Sequence, residues 1–276
     1  MTETIPTATH FARPALFELS LPYGDYRFSQ RLYEVVHDWG IPTETEIDFL
    51  RKYLPSSGGK ALDLACGAGR HSVGLTLFGH NLTGIDIGGF TIDLARNFAR
   101  EKGVTVDFRT GDIRKIEFRD EFDLVFFICG QMAHLSPKEN ESLFRKVHTA
   151  LKPNGAFVIH LEKLEPEDRL NRTFWYRELK PLYFSNPSLV HREQYFFPRE
   201  NAKLIRDFAI DSETKESGLF GYSEKEYTRE EMNYLASRTG FAVSEQFGSY
   251  DRASAQTESE NRIFILRINP GSNSLS

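Results

Sequence analysis

Between residues 60 and 161, short apolar runs alternate with amphipathic stretches. The runs near 60–65, 81–86, 104–109, 122–129 and 155–161 have the length and composition of strands buried on both faces. The stretches near 70–78, 89–101 and 137–151 predict helices; in the second, Leu94 and Phe98 lie one turn apart on one face, and Gly103 ends it. Strand alternating with helix predicts a doubly wound α/β sheet. After Leu161 the rhythm changes. From Lys163 to about Thr228 helical signals are few, aromatics are many, and alternation such as Lys203-Leu-Ile-Arg-Asp-Phe-Ala-Ile210 predicts an antiparallel β-rich insertion between the fifth strand and the following helix. That helix opens at Thr228, with Glu231 at capping-box spacing, and closes at Gly240. Strands near 241–250 and 261–268 then bring the sheet to seven.

These breaks divide the chain into a helical segment at 1–58, a core at 59–162, an insertion at 163–228, a return to the core sheet at 229–269 and a tail at 270–276. The tail and the first ten residues are expected to be disordered.

The first strand runs into a glycine turn, Ala61-Leu-Asp-Leu-Ala-Cys-Gly-Ala-Gly-Arg70, and the second ends in Asp86, seventeen residues after Gly69. Without Cβ atoms, Gly67 and Gly69 can take positive φ and let a ligand lie against the backbone. The helix that starts at Arg70 points free N–H groups and its positive dipole end at the same place, which favours a ligand carboxylate. Asp86 is placed to accept hydrogen bonds from both hydroxyls of a ribose. A dinucleotide fingerprint would set Gly or Ala three residues after Gly69, where this chain has Ser72. Asp63 suits a ligand with an ammonium group better than a pyrophosphate, although capping the turn's own amides is a second reading.

Asp63, Ala65, Cys66, Gly67 and Gly69 fall on a D-x-G-x-G-x-G pattern and resemble motif I of the class I S-adenosylmethionine-dependent methyltransferases, with Ala65 where the first glycine is usual. Further segments resemble that family in the expected order: Thr83-Gly-Ile-Asp86-Ile87, Thr110-Gly-Asp112-Ile113, Phe122 to Gly130, and Leu151-Lys-Pro-Asn-Gly155 leading to His160. The resemblance implies a Rossmann-like fold and S-adenosylmethionine as cofactor. It implies that Asp63 and the Ala65 carbonyl hold the methionine ammonium, that Cys66, Gly67 and Gly69 form the cradle, that Asp86 and Ile87 meet the ribose, and that Asp112 and Ile113 frame the adenine. Cys129 stands at the cofactor wall or is structural, and Tyr33, in Phe28 to Trp39, takes the place of an aromatic near the methionine end or is simply packing.

An oxygen or ammonium acceptor must lose a proton, and His134, on the loop after the fourth strand, is the candidate base; capping of the next helix is its alternative role. His71 and His160 are weaker candidates, and His37 and His191 rest only on closeness to the pocket. The aromatics Trp175, Tyr176, Tyr183, Phe184, Tyr195, Phe196, Phe197, Phe220, Tyr222 and Tyr227 form either an apolar lid over an organic acceptor or the insertion's own core; Trp175, Tyr195 and Tyr222 are taken as substrate-binding.

The chain has 276 residues, 40% hydrophobic and 26% charged, with net charge −5. Nothing in it attracts nucleic acid globally, and no run of Lys and Arg with interleaved aromatics tracks a strand. No apolar run reaches the ~20 residues of a membrane span, and no signal-peptide core opens the chain. Two cysteines without metal-ligand spacing point to no metal and to a reducing, cytoplasmic setting. The expected function is methyl transfer to nitrogen or oxygen of a small molecule. The alternatives are methylation of carbon, protein or RNA at the same cofactor site, and a non-catalytic nucleoside-binding module. A nicotinamide dehydrogenase is disfavoured by Ser72.

Overall fold

The computed structural model describes residues 15–36, 43–251 and 262–269; His37, the first ten residues and the 270–276 tail fall outside them. Five strands lie side by side in parallel: β1 (Lys60–Leu64), β2 (Asn81–Asp86), β3 (Asp107–Thr110), β4 (Phe122–Phe127) and β5 (Leu151–Leu161), the inner ones apolar on both faces and the edge strand β3 burying only Phe108. In β4, Leu124 and Phe126 pack to one side, and Val125 and Phe127 to the other. Beyond β5 the sheet continues with β11 (Arg262–Ile268), antiparallel to both its neighbours, and β10 (Phe241–Phe247), which runs in the direction of β5, giving the order β10-β11-β5-β4-β1-β2-β3.

Helices α2 (Thr43–Leu50) and α3 (Arg70–Leu77) cover one face through Ile47, Phe49, Leu50 and Leu75; α4 (Gly89–Glu101) packs Ile92, Ala95 and Ala99 on Phe108. The other face carries α5 (Pro137–Ala150) and α6 (Arg229–Arg238), which bury Leu143, Phe144, Val147, Met232 and Leu235. Thr228 and Glu231 form the expected capping box, and Ser136 with Glu139 forms another at the start of α5.

The third strand starts at Asp107 rather than near 104, because Gly103 takes a positive φ of 68° and Val104 bonds back to the Ala99 carbonyl. The fifth begins earlier than expected, with Leu151 pairing Phe122 ahead of a register shift.

Between β5 and α6 the chain forms a four-stranded antiparallel meander: β6 (Arg172–Glu178), β7 (Ser188–Phe197), β8 (Ala202–Asp211) and β9 (Ser217–Lys225). An N-terminal helix, α1 (Tyr26–Val36), bridges this second sheet and the core. Arg31 donates to the carbonyls of Leu182 and Tyr183, while Tyr26 packs edge-on against Phe90 of α4 with ring centroids 5.5 Å apart. Among the described residues, no helix is long and apolar enough to cross a membrane.

Candidate active site

The carboxyl ends of β1, β2 and β4 meet at the glycine turn. Ala65 leaves β1 at φ 57°, a left-handed conformation that costs a non-glycine residue about 1–2 kcal/mol. That strain explains why glycine is usual there in the pattern this chain resembles. Gly69, at φ 77°, packs so closely that a Cβ would lie 2.4 Å from Phe108 Cζ. Gly67, at φ 53°, differs, since a Cβ there would meet no atom within 4 Å. One glycine closes the turn onto the core; the other borders open space.

Asp63 lies beneath that space, 2% exposed, and accepts a hydrogen bond from Ser72 Oγ at 2.7 Å. Ser72 is thus the serine that replaces a dinucleotide-type glycine, and it holds the carboxylate in place. Burial pushes the Asp63 pKa up to about 7 against the pull of that bond, and the Asp86 charge adds to the rise. A buried carboxyl in this state fits a ligand ammonium. Cys66 turns inward and packs with Phe108 and Val73, so its thiol is a structural filler under the turn.

Asp86 ties two loops together. Its Oδ2 accepts from the Gly67 amide at 2.9 Å and its Oδ1 from the Gly88 amide at 2.8 Å. Ile87 is exposed beside it, where a Cβ on Gly24 would meet it in ordinary contact at 3.7 Å. Asp112 lies one strand further on, where Gly111 N bonds the Asp86 carbonyl. Burial alone would raise its pKa, but side-chain and backbone bonds from Arg114 outweigh that and hold it below the usual carboxylate range. Ile113 is half-buried against the core. Tyr33 stands 6.1 Å, ring to ring, from Phe90 on the α1 surface over the start of α4.

A clamp with no sequence signature fixes the start of α3. Glu46 of α2 is fully buried and pairs with Arg70 Nη1 at 2.5 Å and His71 Nε2 at 2.7 Å. His71 is therefore a partner of Glu46, and burial lowers its pKa. Arg70 reaches Cys129 Sγ at 3.4 Å, and burial pushes that thiol up to about 11. His160, packed edge-on against Tyr250, is pushed by burial down to about 4, so it stays neutral and takes no proton near pH 7.

His134 lies in a short 3₁₀ turn, residues 131–134, ahead of α5. Ser136 caps α5, which removes the capping role as an account of His134. Its ring meets Tyr222 at 5.8 Å, and its Nε2 lies 3.9 Å from Glu224 Oε1. Burial lowers its pKa, so the imidazole is neutral and able to accept a proton at pH 7.

The ladder register corrects the substrate-binding trio. Across the second sheet, Tyr222 pairs with Ile205 and Ile205 with Gln194, so Tyr222, Ile205 and Gln194 share the face turned towards His134. Tyr195 neighbours Gln194 and therefore points to the other face. Trp175, 56% exposed, pairs with His191 on that outer face too. Tyr222 alone of the three faces the site. The residues missed from sequence are Tyr23, Glu162, Lys203 and Glu224, which gather around Tyr222 and His134. Among the lid aromatics, Tyr183 stacks on Phe220 at 4.4 Å within the insertion's own cluster.

Six strands running the same way with a single reversed strand, β11, between β5 and β10, a glycine turn after the first strand and an acid at the end of the second define the class I S-adenosylmethionine-dependent methyltransferase fold. Residues 61–155 match the family described as Methyltransferase domain. A ubiquinone biosynthesis O-methyltransferase of Marinobacter nauticus is 30% identical over 128 residues, covering 45% of this chain and 52% of that protein. The chain spans about half the length of the curated relatives it matches. In three dimensions, an S-adenosylmethionine-dependent methyltransferase from Clostridium acetobutylicum aligns over 88% of this chain and 99% of its own, with TM-score 0.65 and 18% identity. An amino pentose methyltransferase from Micromonospora echinaspora, solved with S-adenosylmethionine bound, aligns over 85% and 95% with TM-score 0.55 and 18% identity.

Proposed function

We propose that this protein is an S-adenosylmethionine-dependent methyltransferase that moves a methyl group to a nitrogen or oxygen atom of a small organic molecule. The observation that carries the reading is the buried Asp63 carboxyl, raised to about 7, beside a turn whose Gly67 borders open space. Asp63 and the Ala65 carbonyl would bind the methionine ammonium, Gly67 and Gly69 would admit the ligand, and Asp86 would meet the ribose while it orients the turn. Asp112 with Ile113 would border the adenine, Ile87 the ribose edge, and Tyr33 and Cys129 the methionine end. The cofactor supplies a methyl group already activated by its sulfonium sulfur, so the protein's part is to align, exclude water and move a proton. Neutral His134 would accept the acceptor's proton, with Tyr222 packed on its ring. The curated relatives support a small organic acceptor, and two unpaired cysteines support a reducing, cytoplasmic setting.

The test is to incubate the protein with methyl-labelled S-adenosylmethionine and a cell extract divided into small-molecule, protein and RNA fractions. Label is expected among the small molecules. His134→Ala should cut it by a factor on the order of a hundred or more while the cofactor affinity is unchanged. Label in protein or RNA would replace this reading with the macromolecular one. Absence of cofactor binding would end it.

A further inference from the structure

The wall around His134 carries more negative charge than methyl transfer requires. Glu162, immediately after β5, lies against the loop that leads to His134: a Cβ on Gly130 would come within 2.9 Å of its Oε2. Glu224, on the inward face of β9, sets its Oε1 3.9 Å from His134 Nε2. The cation bonded to Glu224 is Lys203, at 2.7 Å, and Lys203 also serves Asp168 at 2.8 Å. Two carboxylates therefore bond one ammonium group, and a third, Glu162, stands close enough to feel the charges of both Glu224 and Lys203, next to a histidine that burial keeps neutral. Desolvation first, and the Glu224 charge second, push the Glu162 pKa up against the pull of Lys203, as expected of a buried carboxylate with more negative than positive charge around it. Two aromatic rings complete the wall. Tyr222 packs on His134, and Tyr23 lies in the same cluster, close enough for Tyr222 and Glu224 to raise its own pKa beyond what burial does.

We propose that the acceptor is an amine, received as its ammonium ion between Glu162 and Glu224 against the rings of Tyr23 and Tyr222. Carboxylates attract an ammonium and aromatic faces add to that attraction, whereas the same groups oppose the negative charge that grows on a phenol oxygen as it is deprotonated. The chemistry balances with residues in place. The ammonium gives one proton to neutral His134. The freed nitrogen lone pair forms the N–C bond to the methyl carbon as the C–S bond breaks, and sulfur keeps that electron pair. The product leaves as a methylammonium ion, still matched to Glu162 and Glu224.

This inference rests on the methyl-transfer reading, and its test separates the two. The full chain, saturated with S-adenosylhomocysteine, is titrated at pH 7.5 with phenethylamine and with 2-phenylethanol, a pair alike in size and different in charge. The amine is expected to bind more tightly by a factor on the order of ten. Glu162→Gln should bring the ratio down several-fold, with S-adenosylhomocysteine affinity unchanged. Equal binding of the two probes, tighter binding of the alcohol, or a full preference retained in Glu162→Gln would overturn the amine assignment and leave methyl transfer standing. Failure to bind S-adenosylhomocysteine would count against methyl transfer. The probe ratio, measured then on the ligand-free protein, would still decide the amine site.

Discussion

The Asp63 carboxyl titrates near 7 in the folded chain and has an ordinary value of 3.8. Between those pH values the folded state binds the proton more tightly than the unfolded one. The stability this contributes is complete below about pH 4 and is lost as the pH rises to about 7. Asp63→Asn keeps an acceptor for Ser72 and removes the charge. It should raise the melting temperature of the ligand-free protein by several degrees at pH 8 and by much less at pH 5, read by calorimetry. The same variant should weaken S-adenosylmethionine binding at least ~10-fold, since the ammonium loses its ionic partner. Unchanged affinity would remove Asp63 from the site. The two glycines make a matched pair. Gly67→Ala adds a methyl group to open space and should cost only the ~1–2 kcal/mol of its left-handed backbone, while cofactor affinity collapses. Gly69→Ala drives a methyl group into Phe108 and Ala95 and should cost ~3 kcal/mol or more in denaturant titration.

At the scale of elements, the sequence was most legible where one period runs unbroken. The apolar runs of β1, β2, β4 and β5 and the turn at Gly67 and Gly69 are local signals, and the chain carries them in order. The insertion was legible as antiparallel strands, but which residues face the site was not. A strand's side chains alternate with period two, so assigning Trp175 and Tyr195 to the inner face needs the register, and the register comes from pairing across the sheet. Glu46 was illegible for another reason. It meets Arg70 and His71 from 24 and 25 residues away, and a single acid in a short helix announces no partner. Glu46→Gln keeps the shape and removes the charge that holds Arg70, at a predicted cost of about 3 kcal/mol. Hydrogen exchange should quicken in residues 43–50 and in the first turn of α3, with β4 and β5 unaffected; unaltered exchange would mean that the clamp contributes nothing.

In the whole molecule, stability and ligand contact are unevenly shared. The central strands β4 and β5 are buried on both faces, whereas α1 meets Phe90 of α4 through Tyr26 and Tyr33 and holds the insertion through Arg31 and the buried Phe28. The apolar cluster shared by α1 and the insertion is smaller than either cluster packed on the main sheet, and elements with a smaller buried core open at lower free-energy cost, so α1 and the insertion are where a bound ligand can change protection most. A cofactor under α1 and an acceptor between His134 and β9 would each join one of these parts to the sheet. Saturating S-adenosylhomocysteine should therefore stabilise the folded state, by binding to it alone, by ~2.7 kcal/mol at a hundred times its dissociation constant, and so raise the melting temperature. Amide exchange should slow in residues 26–36 and around Asp86–Phe90, with little change in β5, because that strand opens only when the whole domain unfolds. Slowing confined to the glycine turn would show that α1 packs on the core independently of the ligand, and Tyr33 would then be a packing residue. Protection that spreads to β9 on cofactor alone, before any acceptor is added, would mean that the second sheet closes with the cofactor, and acceptor affinity should then rise when S-adenosylhomocysteine is bound.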